Sequence, residues 1–540
     1  QALCAALGNH AFGIEVAGKT LKANRWTAKL LREKIAAAPH ALTMPLDFAL
    51  AGRESTARLL QTSLDALPDD ARAVFFACGA FFAPRITAEM IMRFFVGKPE
   101  VTDEMLANVR SSVPEAAQMS DDELRPQIER ALAQQPVDVT SADTALTTLA
   151  LHGLLTPIPA SSDAVASVRL HDLAYSYASA QADAGQRKRA LVACLAYVAR
   201  YNAPSLPNFA ALRPELDNLL RAADWAAANG HDAAVEQFAW DLYATGSEYL
   251  DLGGFSAQAT RLLEQAAAAA GRGGNKRDQG AHLGNLGNAY SDLGQVERAI
   301  EYHEQALAIS REIGNKRSEG NHLGNLGLAY SDLGQVERAL EYYEQSLAIS
   351  REIGDKRNEG NQLGNLGLAY SALGQVERAL EYYEQSLAIR REIGDKRGEG
   401  ADLGNLGLAY RAVGQVERAI EHYEQALAIA RAIGDRRAEG SILGNLGNAY
   451  RELGQVERAL EYHEQALAIR RAIGDRMGES NDLNNLGVVY EENLHDYPRA
   501  LDYYQQALAI YRQIGAQHHV ATVERNIAIV QGKMGGGAEQ

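Results

Sequence analysis

The chain has 540 residues, 46% of them apolar and 23% charged, with a formal net charge of −16. That length allows several domains in an ordinary soluble composition, and the acidic balance disfavours nucleic acid as a partner. No 18-residue apolar run offers a membrane span, and three widely spaced cysteines, Cys4, Cys78 and Cys194, lack CxxC spacing, arguing against structural zinc and for a reducing compartment, taken as the cytoplasm.

The sequence opens at Gln1 inside an amphipathic pattern, without an initiator Met or a signal peptide, and reads as a piece of something longer. Residues 7–18 (LGNHAFGIEVAG) start a helix behind a Gly-Asn turn. Residues 57–82 read as two helices split by Pro68, the second opened by Asp69 and Asp70. A third helix follows at 86–95, capped by Thr87. The polar stretch 98–140 reads as an insertion with one helical stretch near 121–133, followed by a helix from 141. Two extended runs at 154–159 and 164–170, joined by the turn residues Ala160 to Asp163, predict a hairpin, and a helix starts at His171. Three helices followed by a hairpin make a winged-helix arrangement.

From 276 to 515 one 40-residue sentence is written six times, and such a period means a stacked helical array. In one copy Leu323, Leu326, Tyr330 and Leu333 form the apolar stripe of a first helix. After Gly334, Val336 begins a second helix with Ala339, Leu340, Tyr343, Leu347 and Ile349 on its apolar face. Gly354 suits a left-handed turn, and Asp355 suits the N-cap of the next helix. A single unit cannot bury its apolar face alone, so neighbours must share it.

The spacing of Leu326, Gly327, Tyr330, Gly334, Ala339 and Ser346 resembles the tetratricopeptide repeat. Serine stands where that family most often has alanine, and the usual unit of about 34 residues is stretched by a longer second helix and connector. A wider resemblance rests on LQTSLDALPDDARAVFFACGAFF, ALHGLLTPI and VRLHDLAYSYA, which are similar to the winged-helix segment of NB-ARC proteins, of the STAND class of signal-transduction ATPases. Segment 7–18 looks like that family's GLPL-type motif, with Ala11 where the family has an adenine-packing proline, and Leu170-His171-Asp172 looks like its MHD-type motif.

The resemblance implies a mainly α chain: the end of an ARC-type helical domain with its linker (1–53), a winged helix with a small β-hairpin (54–185) carrying the insertion 98–140, and a helical linker (186–240). A degenerate repeat (241–275), six tetratricopeptide repeats as an α-solenoid (276–515), a capping helix (516–531) and a flexible tail (532–540) complete it. It also implies that His171 senses nucleotide, that the chain's own upstream nucleotide-binding domain is a partner, and that activation brings oligomerisation. ADP or ATP would belong to the parent, and no cofactor is assigned to this chain.

No GxxxxGK[ST], HExxH or GxSxG occurs, so no catalytic role is assigned and no metal site is expected. The functional expectation falls on the first helices of the array. Residues at i, i+4, i+7 and i+11 lie opposite the core stripe, and there Asn285, Asn325, Asn365, Asn405, Asn445 and Asn485 recur in all six copies. Such a ladder of paired donors and acceptors suits the backbone of an extended peptide. Leu328, Leu368 and Leu408 form an apolar strip beside it, and Arg411 and Arg451 replace serines in later copies, as seats for an acidic group. The expected function is a protein or peptide sensor relaying to a nucleotide switch. A constitutive scaffold stands as the alternative, and a DNA-binding winged helix is disfavoured by charge. Neither nucleic acid nor membrane is expected as a partner.

Overall fold

The computed structural model describes residues 11–25, 27–31, 54–97, 101–113, 116, 118–133, 135–160, 166–244 and 249–536. They fall into two units, one ending at Tyr302 and the other starting at His303. Residues 7–10 of the GLPL-like segment and residues 537–540 of the tail lie outside the described residues.

In the first unit α1 (Ala11–Asn24) packs on α2 (Glu54–Asp65), where Thr20 and Ser63 share a buried 3.0 Å hydroxyl pair. Pro68 ends one helix and precedes α3 (Asp69–Ala80), whose first turn holds Asp69 and Asp70 at the positive end of the helix dipole. Strand β1 (Arg85–Ile86) leads into α4 (Ala88–Val96), and the Thr87 side chain caps it by accepting from the Met90 amide.

The polar stretch after α4 folds as two helices, α5 (Asp103–Ser112) and α6 (Asp121–Ala133). Val101, Leu106, Ala116, Leu124 and Ile128 give it a small core of its own, and Arg125 closes it on the Val101 carbonyl at 2.8 Å.

Helix α7 (Thr140–Leu151) precedes β2 (Leu155–Ile158), β3 (Ser167–Leu170) and α8 (Asp172–Gln181). The two expected strands pair antiparallel, Leu155 opposite Leu170, but β3 is the centre of a three-stranded sheet whose other edge is β1, with Arg85 opposite Arg169. Two residues behind Pro84 carry no alternation, so β1 has no sequence signal. A buried node ties this edge to the helices beyond α9 (Ala184–Tyr201) and α10 (Leu206–Leu212), at the start of α11 (Leu216–Ala228). Asn218 accepts from the Phe82 and Ala83 amides and donates to the Arg85 carbonyl, while Glu215 accepts from Asn218 and from the Thr87 amide. Burial pushes the Glu215 carboxyl up to about 7.

Four helices, α12 (Asp232–Ala239), α13 (Tyr249–Leu252), α14 (Ser256–Arg272) and α15 (Lys276–Asp292), complete the first unit up to α16 (Val296–Glu312), which contains the boundary.

The second unit is a run of antiparallel helix pairs: α17 (Lys316–Asp332) with α18 (Val336–Ile353), α19 (Lys356–Ala372) with α20 (Val376–Glu392), and α21 (Lys396–Ala412) with α22 (Val416–Ile433). They continue as α23 (Arg436–Glu452) with α24 (Val456–Ile473), α25 (Arg476–Val488) with α26 (Tyr497–Gln513), and a last helix α27 (Gln517–Gly536).

Local chemistry sets these bounds. Gly354 takes φ 71° at the end of α18, and the Asp355 carboxylate accepts from the Asn358 amide at 3.1 Å to open α19. Between them the buried Glu359 is held by Arg351 and Lys356, each at 2.9 Å, and Glu319, Glu399, Glu439 and Glu479 repeat this triad. The two helices of a pair approach closely because Gly327 faces the Tyr343 ring, where a Cβ would stand 2.4 Å from it.

The sixth copy departs from the others. One extra residue is absorbed by a π-helical turn at Val489–Asn493, and His495 takes the left-handed position (φ 52°) that glycine holds elsewhere. The last helix runs to Gly536, five residues into the stretch expected as tail, and Lys533 on it pairs with Glu491 at 2.9 Å.

Candidate binding groove

The first helix of every unit presents one stripe away from its partner helix, and in the second unit these stripes meet. Helices α17, α19 and α21 line a trough of about 500 Å3 with Asn321, Asn325 and Leu328, then Asn361, Asn365 and Leu368, then Ala401 and Asn405. A further hollow of about 290 Å3 continues through Asn405 and Leu408 to Asn445, with Ile429 and Ile433 making it more apolar.

The asparagines Asn325, Asn365, Asn405, Asn445 and Asn485 are all half-buried, and the first four line the trough or its continuation. Leu328, Leu368 and Leu408 are 46%, 51% and 45% exposed, far more than the apolar residues of the opposite stripe, such as Leu326 at 0%. A row of half-exposed leucines beside half-buried amides is a surface that both covers apolar groups and answers backbone N–H and C=O.

Among the sequence-assigned residues, the structure brings Asn325, Leu328, Asn365, Leu368 and Asn405 into one trough, and Leu408 and Asn445 into its continuation. Asn485 lies on α25, beyond both lined segments, and Asn285 lies half-buried on α15 in the first unit.

Arg411 and Arg451 are not open seats for an acid. Arg411 pairs with Glu452 at 3.1 Å and Arg451 with Glu492 at 2.9 Å, so each charge is already met by the first helix of the next unit. An incoming carboxylate would have to displace one of these glutamates. His171 is exposed at the N-terminal boundary of α8, where its side chain makes no capping bond and its amide donates to the Leu154 carbonyl at 3.2 Å.

The floor of the trough holds residues the ladder argument did not single out: Asn358, Gln362, Arg390 and Asp402. Arg390 is 8% exposed and donates to Asn361 at 2.6 Å and to Asp395 at 2.7 Å. Asp402 is 4% exposed, accepts from the Ser386 hydroxyl at 2.6 Å, and has its carboxyl pushed up to about 6 by burial, with Ser386 and Arg390 opposing that rise. In the sequence they fall among the positions where otherwise copied units differ, but nothing there pairs one with another.

Elsewhere burial sets the state of several histidines and cysteines. Burial drives the His282 and His322 imidazoles down to about 4 and His303 to about 3, so all three are neutral at pH 7. Cys78 and Cys194 are buried, and burial pushes both thiols well up. Among the described residues no group of three or more His, Cys, Asp or Glu could hold a metal, and no described helix is long and apolar enough to cross a membrane.

Comparison with known proteins agrees with the geometry of the array. Residues 280–313, 318–392, 401–472 and 479–536 match models of the tetratricopeptide repeat. No curated protein matches the chain. Among solved structures, the fold is similar to a signal transduction ATPase with numerous domains, a STAND protein with a tetratricopeptide repeat sensor, from Pyrococcus horikoshii. That match has 18% identity over 94% of this chain and 71% of that one, with a TM-score of 0.52. Shorter matches include BtubC from P. vanneervenii, 24% identical over 41% of this chain and 92% of its own, with a TM-score of 0.38. The apo quorum sensor NprR from B. thuringiensis is 17% identical over 60% of this chain and 88% of its own, at 0.46. The chain is thus a mainly helical protein containing tetratricopeptide repeats.

Proposed function

We propose that this chain is the sensor and regulatory part of an NB-ARC-like signalling protein, and that an extended peptide or protein segment binds in the trough of the repeats. One observation carries the reading: the same half-buried asparagine and half-exposed leucine recur on successive first helices and line a shared trough. Tetratricopeptide repeats are an interaction fold, which supports binding over catalysis. The match to a STAND protein with a repeat sensor, over most of this chain, supports the relay to a nucleotide switch.

In this reading the helices and three-stranded sheet of residues 54–185 are a winged helix, and His171 contacts nucleotide held by a domain outside this sequence. Occupancy of the trough would then favour one of two arrangements of the parent, a population shift rather than a chemical step. The relay rests on likeness of fold; the binding rests on the trough.

The test uses the full chain. Peptides selected on it from a random display library are expected to lose at least about tenfold in affinity, or 1.4 kcal/mol, when Asn325, Asn365 and Asn405 are together replaced by Ala, with melting nearly unchanged. Retained affinity, or failure of any peptide to bind, would remove the assignment.

A further inference from the structure

The repeats are copies on their surfaces but not at the seams between units, where the end of one second helix meets the start of the next first helix. The seam of α16 with α17 holds His303, Ser310 and His322, the two rings 6.3 Å apart. That of α18 with α19 is a neutral chain in which Gln362 donates to Asn358 at 2.9 Å and Asn358 to Ser350 at 2.7 Å.

The next seam is ionic. Arg390 lies between Asp395 at 2.7 Å and Asp402 at 3.8 Å, and Ser386 donates to Asp402. The following one keeps the capping Asp435 but has Ala426, Ala430, Ala438 and Ile442 where Ser386, Arg390, Gly398 and Asp402 stand in the ionic seam. That of α24 with α25 is ionic again: Arg470 donates to Asp482 at 2.8 Å and to Asp475 at 2.6 Å, with His463 at 3.4 Å from Asp482.

The contents of a seam depend on one another. Both ionic seams have glycine at the connector, Gly398 and Gly478, where the others have Ser318, Asn358 and Ala438. A Cβ on Gly398 would stand 2.6 Å from the Arg390 Nε, and one on Gly478 would stand 1.9 Å from the Arg470 Nη1. In both ionic seams arginine thus stands with glycine eight residues on, which leaves room for the guanidinium, and with aspartate twelve residues on, which answers its charge. Set against Ile442, the same arginine would meet a methyl group, lose a carboxylate and clash with the Ala438 Cβ.

We propose that these seams are register keys. They select which second helix stacks on which first helix among units whose remaining surfaces are nearly interchangeable. The physical basis is that a buried guanidinium deprived of one of its two carboxylates and of its space is costlier than one that keeps them, and that buried polar groups specify one arrangement where apolar ones tolerate several. Without keys, a chain of near-identical units could close one unit out of step, looping out a copy or pairing with a second molecule.

Two deletions of equal length separate this role from ordinary packing. Removing residues 381–420 joins Leu380 to Glu421 and keeps the alanine-isoleucine seam whole. Removing 391–430 joins Arg390 to Arg431 and sets Arg390 against Ala438 and Ile442. The first variant is expected to melt within a few degrees of the parent, and the second about 10 °C lower or not to fold. Adding Ala438→Gly and Ile442→Asp to the second rebuilds the ionic seam and is expected to restore most of the loss. Equal melting of the two deletions, or no recovery in the rescued variant, would overturn the proposal.

Discussion

Asp402 shows how one buried side chain can be read in both stability and register. Its folded carboxyl titrates near 6, well above the usual 3.8, because burial outweighs the Ser386 hydroxyl and the Arg390 guanidinium. A raised carboxyl holds its proton more tightly in the folded chain than in the unfolded one, so this contribution is fully present below pH 3.8 and is lost as pH rises through about 6. Asp402→Asn does not titrate. The melting difference between the parent and this variant should therefore move in the variant's favour, by a few degrees, between pH 4 and pH 7. Calorimetric scans at both ends check it, and a pH-independent difference would refute it. At this scale the local roles were legible in sequence: Gly354 and Asp355 act through their own backbone, so a glycine and a cap residue name themselves. Arg390 and Asp402 were not, because their meaning depends on a partner seen only when two helices are stacked.

At the scale of elements, the connector triads explain how short turns hold long helices in line. Glu359 is buried and meets Arg351 from the helix before it and Lys356 from its own first turn, so one carboxylate ties the end of α18 to the start of α19. Glu359→Ala would leave two half-exposed cations, free to turn to water, without their shared partner and remove a buried acceptor, at a cost of about 1–2 kcal/mol, read as a lower urea midpoint. The folded pKa of Glu319, Glu359 and Glu399 is lowered, with their hydrogen-bonded and charged Arg and Lys partners acting against burial. A depressed carboxyl contributes stability above its unfolded pKa, and here that contribution is lost as pH falls below about 4.5. The elements themselves followed from periodicity wherever a helix was long. The two-residue strand β1 escaped because a strand this short is made by its neighbour, with Leu170 donating to the Pro84 carbonyl at 2.8 Å. The helices at 103–112 and 121–133 were only half legible because few apolar residues mark their shared core.

For the molecule as a whole, duplicated units serve two purposes with different residues: the trough repeats its lining, and the seams refuse to repeat theirs. That division explains why the array and its ladder could be read from a period, whereas the floor of the trough could not. It also sets a pitch for any guest. Consecutive first helices touch one another across the trough, and at the usual spacing of packed helices, about 8–10 Å, Leu328, Leu368 and Leu408 form a ruler with marks at that interval. A β-strand returns a side chain to the same face every two residues, about 6.6 Å, and falls out of step at once. A polyproline II chain returns one every three residues, about 9.3 Å, and keeps pace across all three leucines. A labelled dodecapeptide of four Leu-Pro-Ser triplets should thus bind the full chain at least about tenfold tighter than an isomer of equal composition with leucines at alternate positions. Equal affinity of the two would show that the leucine row sets no cadence.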